Sequence, residues 1–390
     1  MKIGIMTMQR VRNYGSYLQA YGLKKLIESL GHEAVFVDYK IEPSVETLGT
    51  IKANRYYRIL KKLYRKLKTG KNKLIRSVRK EERSEFSCFI KEFEENYLRE
   101  LGVPKAKQYR TRVDVLVIGS DEVFNCTQGE NVGFSKQLFG ADNRAGKVIS
   151  YAASFGNTTL EKLGKYHIRE DVRKLLNGFS ALSVRDRNSY NIVKTLTGKE
   201  AEIHLDPVLI YDFKDEIRDI VTEEGYIIVY AYNKRISEEE GQAIRDFAES
   251  HNKKIISISG QQPFCDKYVY CSPLQMLGYF RHADYVITDT FHGTIFSVIS
   301  HRKFATLVRK DQDAQGYGNE EKLGYLLEKL GLEERRVARL DDLTDVLEQE
   351  IDYSEVDRLL HEERSRTIRY LKEQLPETIC PDGMPGRERE

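Results

Sequence analysis

The sequence predicts an α/β protein built from two Rossmann-like domains that face each other across a central cleft. Three observations carry that prediction. At 390 residues the chain is too long for one ordinary core and suits two domains of middling size. An apolar fraction of 40% beside a charged fraction of 32% marks a packed globular chain. Apolar strand-like runs alternate with helical stretches in two successive series, which is the pattern of parallel sheets. The expected division is 1–212 for the N-terminal domain and 213–375 for the C-terminal domain with its terminal helices. Residues 376–390, polar with Pro and Gly, read as a disordered tail.

The first series opens with a buried strand over 2–7. A loop follows, then a helix over 14–30 whose apolar face holds Leu18, Tyr21, Leu26 and Leu30, with Gly31 placed as a C-cap. A second strand over 34–39 completes a βαβ opening. A charged helical insertion over about 44–100 interrupts the alternation. Strands resume at 114–118, 148–151, 181–184 and 202–205, with helices at 159–177 and 186–196 between them. After Asp206-Pro207, a connector leads to the second series. Its strands are expected at 226–230, 254–258, 285–287 and 304–308, and its helices at 237–251, 272–282, 293–300, 319–332 and 341–374.

Several classes are disfavoured. No apolar run approaches the roughly 20 residues that span a bilayer, and the N-terminus lacks a signal-peptide pattern, so a cytoplasmic location is expected. The five cysteines are odd in number and show no two-residue spacing. The eight histidines show no H-E-x-x-H, and no cofactor or metal is expected.

Ligands of open parallel sheets bind at the carboxyl ends of strands, and four segments there carry candidate chemistry. Asn13, Tyr14 and Gly15 stand where a helix begins, so free N–H groups could hold an anion or a sugar hydroxyl, or simply be capped. The loop lacks G-x-G-x-x-G, which argues against a dinucleotide. Ser120 and Asp121 follow a buried strand, and Asp121 suits a general base or a hydroxyl ligand as well as it suits a cap. Arg185 follows the strand Ser183-Val184. Its planar guanidinium matches a carboxylate or phosphate, or a local pair with Asp186. In Thr288-Asp289-Thr290-Phe291-His292-Gly293-Thr294 a strand runs into a helix, with His292 at that helix's N-terminus. There the dipole attracts an anionic substrate.

Together these segments resemble the polysaccharide pyruvyl transferase family over most of residues 2–335, in order. The resemblance includes Asn13 to Tyr21, Gly119 to Asn125, Tyr151 to Gly156 with Ser154, Ser183 to Asp186, Leu205-Asp206-Pro207, Ala283 to Thr294, and Arg309 with Asn319. It implies a GT-B-like pair of domains and transfer of the pyruvyl unit of phosphoenolpyruvate to a sugar of a cell-surface polysaccharide or its lipid-linked precursor, forming a ketal. It further implies His292 as acid/base, Asp121 as a substrate-contacting carboxylate and Arg185 as a donor-binding cation. Gly293 and Thr294 join the donor site. Asn13, Tyr14, Gly15, Ser120 and Ser154 join the acceptor or anion site. Many members carry an arginine two residues before the histidine, where this chain has Thr290. Arg309 is the expected substitute, ahead of Lys310 and Arg281. Two other readings stay open: a glycosyltransferase that uses a nucleotide sugar, and a non-catalytic glycan- or lipid-carrier-binding protein.

The net charge of +3 conceals a concentration. Residues 52–83 hold fourteen Lys or Arg against two Glu, so the remainder carries −9. Tyr56, Ile59, Leu60, Leu63, Tyr64 and Leu67 recur at helical spacing within that segment. Such a helix suits an anionic membrane surface or packing on its own domain. Nucleic acid is disfavoured, because no recognised module accompanies the charge.

Overall fold

The computed structural model describes residues 1–45, 87–129, 132–218, 223–233, 235–309 and 319–375. The basic segment 52–83, the tail 376–390 and Lys310 lie outside the described residues.

Two parallel sheets organise the chain. The first has the order β2 (Glu33–Phe36), β1 (Lys2–Met6), β3 (Val115–Ile118) and β4 (Lys147–Ser150). A short parallel pair, β5 (Ser183–Val184) and β6 (Glu202–Ile203), continues it through bridges from Ile149 to Ala181 and from Ala153 to Val184. The second sheet has six strands. They are β7 (Tyr226–Tyr230), β8 (Lys254–Ile258), β9 (Lys267–Val269), β10 (Tyr285–Thr288), β11 (Lys303–Leu307) and β12 (Arg336–Val337), in the order β12-β11-β10-β7-β8-β9. Every pairing is parallel. Strands buried on both faces must be apolar throughout, as Val-Leu-Val-Ile in β3 and Tyr-Ile-Ile-Val-Tyr in β7 are. The result is the α/β architecture of two Rossmann-like halves.

Two short edge strands, β9 and β12, were not legible, because three and two residues carry too little periodicity. Two expected helices are divided. The stretch 159–177 forms helices Leu160–Lys165 and Arg169–Asn177, with His167 between them at φ 56°. The stretch 341–374 contains Leu343–Glu348 and Tyr353–Gln374, and Asp352 starts the second by accepting the N–H of Ser354.

That last helix returns to the first half. Tyr370 donates its hydroxyl to the Ser150 carbonyl at 2.7 Å, and Lys147 Nζ donates to the Gln374 carbonyl at 2.9 Å. One apolar cluster contains residues of both halves, among them Ile5, Tyr17, Val208, Tyr230, Phe296 and Leu371. The chain therefore crosses between halves twice, once at the connector and once in this helix.

Candidate functional site

The site begins where β3 ends. Gly119 has φ 124°, and a Cβ there would lie 2.1 Å from the Tyr151 carbonyl oxygen, so the turn requires glycine. Asp121 follows at φ 75°, a region that residues with a side chain seldom occupy. Its carbonyl accepts the N–H of Ser154 at 2.9 Å. Its carboxylate accepts the Ser16 hydroxyl at 2.7 Å and the Glu122 N–H at 2.8 Å.

Arg185 leaves β5 and is 5% exposed. Its Nη1 donates to Asp206 Oδ2 at 2.8 Å, and its Nη2 lies 3.9 Å from Asp121 Oδ1. The guanidinium stands 4.2 Å from the ring centroid of Phe291, which belongs to the other half. Asp206 starts the short helix Pro207–Ile210 and accepts the Val208 N–H at 3.1 Å. Burial alone would raise this carboxyl. His292, Arg185 and the Val208 N–H outweigh it and hold it at about 2.

His292 is the second residue of helix Phe291–Ile299. Thr290 caps that helix, its hydroxyl accepting the Gly293 N–H at 2.9 Å. The imidazole packs on Phe296, with ring centroids 6.0 Å apart. Its Nε2 lies 3.5 Å from Asp206 Oδ2 and has no hydrogen-bond partner among the described residues. Opposite stands Gly15, at the start of helix Tyr14–Ser29. A Cβ there would fall 2.2 Å from His292 Nδ1, so only glycine lets the two helix ends meet.

Side chains of both halves line a groove of about 290 Å³, including Asn13, Ser16, Asp121, Arg185, Tyr232 and His292. Asn13 caps its helix by accepting the Gly15 and Ser16 N–H groups, and its Nδ2 donates across the groove to the Tyr232 hydroxyl at 3.0 Å. Glu122 and Lys322 also line it, 2.9 Å apart. Burial alone would raise Glu122, but Lys322, Arg185 and the Asn125 amide bring it down to about 2.

Four of the residues singled out in the sequence thus converge: Asn13, Asp121, Arg185 and His292. Others stand behind them. Ser120 donates to the Ala152 carbonyl at 2.9 Å and lies 3.1 Å from Asp206 Oδ2. Ser154 donates to Asp186 at 2.6 Å. The Tyr14 hydroxyl reaches the Cys271 carbonyl at 3.0 Å, across the halves. Thr294 is buried against Thr306, and the Gly293 N–H is used by the cap.

Arg309, the expected donor-binding substitute, stands outside the groove lining. Its guanidinium is held by Asp289 at 2.6 Å and Glu240 at 2.8 Å, two carboxylates of its own half. Arg281 lines a different cavity. Lys322, which lines the groove along with Arg185, was not anticipated. It stands on helix Glu320–Leu330, and no local pattern separates it from a surface lysine. Asp206 was legible only as the start of the connector and within the Leu205-Asp206-Pro207 resemblance, and its ionic partners are set by tertiary contacts.

A family model described as polysaccharide pyruvyl transferase matches residues 13–311. No curated protein matches the chain. Among solved structures, a UDP-GlcNAc 2-epimerase from Methanocaldococcus jannaschii is similar at 12% identity, with 96% of this chain and 100% of that chain covered and a TM-score of 0.49. The calicheamicin glycosyltransferase CalG4 is similar at 12% identity, with 97% and 99% covered and a TM-score of 0.42. Among the described residues, no helix is long and apolar enough to cross a membrane, and no group of three or more His, Cys, Asp or Glu could hold a metal ion.

Proposed function

Because this chain belongs to the polysaccharide pyruvyl transferase family, we propose that it transfers the pyruvyl unit of phosphoenolpyruvate to two hydroxyls of a sugar in a cell-surface polysaccharide or its precursor. One observation carries the reading. The imidazole of His292, whose buried Nε2 lies 3.5 Å from the Asp206 carboxylate, lines a groove together with Arg185 and Asp121 of the other half.

The chemistry asks for a proton donor, a base and fixed positive charge. His292 protonates the methylene carbon of the donor, which becomes a methyl group, and C2 turns electrophilic. Asp121 accepts the proton of the first sugar hydroxyl as its oxygen bonds to C2. The C2–O bond to phosphate then breaks, and the second hydroxyl closes the ketal while its proton leaves with the phosphate. Arg185 and Lys322 balance the donor's carboxylate and phosphate charges. Each already has a carboxylate partner, Asp206 or Glu122, that fixes its position. Thr290, which replaces a frequent arginine, serves its own helix as cap, and Lys322 supplies charge from the neighbouring helix instead.

The test is phosphate release from phosphoenolpyruvate with a panel of sugar acceptors. Acceptor-dependent release that disappears in His292→Ala supports the reading. A folded His292→Ala protein with near-normal turnover refutes it. No release with any acceptor, together with thermal stabilisation by UDP or GDP but not by phosphoenolpyruvate, points to a nucleotide-sugar enzyme.

A further inference from the structure

A second cavity of about 420 Å³ lies at the hinge, where the connector after Asp206 meets the last helix, Tyr353–Gln374. Four permanent cations line it, Lys214, Arg281, Arg302 and Arg364, against two carboxylates, Asp212 and Asp357. The carboxylates are already engaged. Asp357 pairs with His301 Nε2 at 3.0 Å, and Asp212 accepts the backbone N–H of Lys214 at 3.0 Å. Nε of Arg302 and of Arg364 donates to the backbone carbonyls of Ser300 and Ile210. Lys214 and Arg281 form no ion pair among the described residues. In the groove, by contrast, Arg185 and Lys322 each have a carboxylate within 3 Å.

Like charges gathered around one concavity repel, and an anion among them removes that cost. Guanidinium forks match the oxygens of a phosphate. Phe213, Ile217, Ile299 and Leu360 give the cavity an apolar part beside Tyr211, Ser300, His301 and His361, so a ligand with an apolar body fits better than a bare ion. We propose that this hinge cavity binds a phosphate ester with an apolar body, from a lipid headgroup or a soluble ester, at a site separate from the groove. The inference does not depend on the chemistry of the groove.

The experiment is calorimetric titration of the full chain with octyl phosphate below its micelle concentration, compared with a Lys214→Ala/Arg281→Ala variant. Both side chains are exposed, so the fold should survive, and a thermal melt checks it. The proposal expects one-to-one binding, weakened about tenfold or more in the variant, unaffected by saturating phosphoenolpyruvate and tighter than that of inorganic phosphate. Equal affinity in both proteins, displacement by phosphoenolpyruvate, or tighter binding of inorganic phosphate overturns it. Co-sedimentation with phosphatidic acid vesicles gives the source. Sedimentation that the variant loses identifies a lipid headgroup, and octyl phosphate binding without sedimentation identifies a soluble ester.

Discussion

Replacing Asp206 with Asn probes the centre of the site. Its carboxylate has 0% side-chain exposure and meets Arg185 at 2.8 Å and His292 at 3.5 Å. Asn keeps the size and can still accept the Val208 N–H, so the change removes charge rather than volume. The structure holds this carboxyl at about 2 against an ordinary 3.8. At about 1.4 kcal/mol per unit, ionisation of Asp206 stabilises the fold by roughly 2 kcal/mol. Breaking one side of a buried ion pair costs about 3–5 kcal/mol in comparable cases, because Arg185 is left with Asp121 alone, 3.9 Å away. Asp206→Asn should therefore lose about 3 kcal/mol in urea denaturation at pH 7. Because the folded value lies below the unfolded one, this contribution is complete above about pH 5. It falls away as pH drops toward about 2, so the two proteins should converge in acid. A variant as stable as the parent at pH 7, or a gap that stays constant down to pH 2, would refute the assigned ion pair.

Other outcomes follow from the same geometry. Gly15→Ala places a methyl group 2.2 Å from His292 Nδ1 and should cut kcat by about tenfold or more with the fold retained, read by phosphate release. Lys322→Met should raise the donor KM, and an unchanged KM would remove Lys322 from donor binding. Arg309→Ala should leave the donor KM near its parent value yet lower stability by about 1–3 kcal/mol, since it removes the arginine on Glu240 and one of the two arginines on Asp289, which keeps Arg235 at 2.9 Å. Thr290→Val should cost about 1 kcal/mol through loss of the helix cap, measured in a thermal melt.

Much of this was legible in the chain. Strand and helix periodicity is a local property, and the two α/β series, their order and most of their bounds followed from it. Strand-end placement marked Asp121, Arg185 and His292, because a parallel sheet gathers its carboxyl ends on one edge. Which charges meet there was not legible. Arg309 and Lys322 are both basic residues near strand or helix ends, and only the packed halves show that the first is held by Asp289 and Glu240 while the second reaches the groove.

The sequence by itself determined the alternation of strand and helix, the helix start at Asn13 and the glycine stop at Gly31, since these depend on neighbours within a few residues. Only the tertiary structure decided that Gly15 faces His292, that Asp206 joins Arg185 to the imidazole, and that the last helix returns to the first sheet. Those pairings bring together residues from 21 to 277 positions apart, counting Arg185 to Asp206 and Gly15 to His292. They are fixed by burial of whole faces and by the matching of buried charge, which no window along the chain contains.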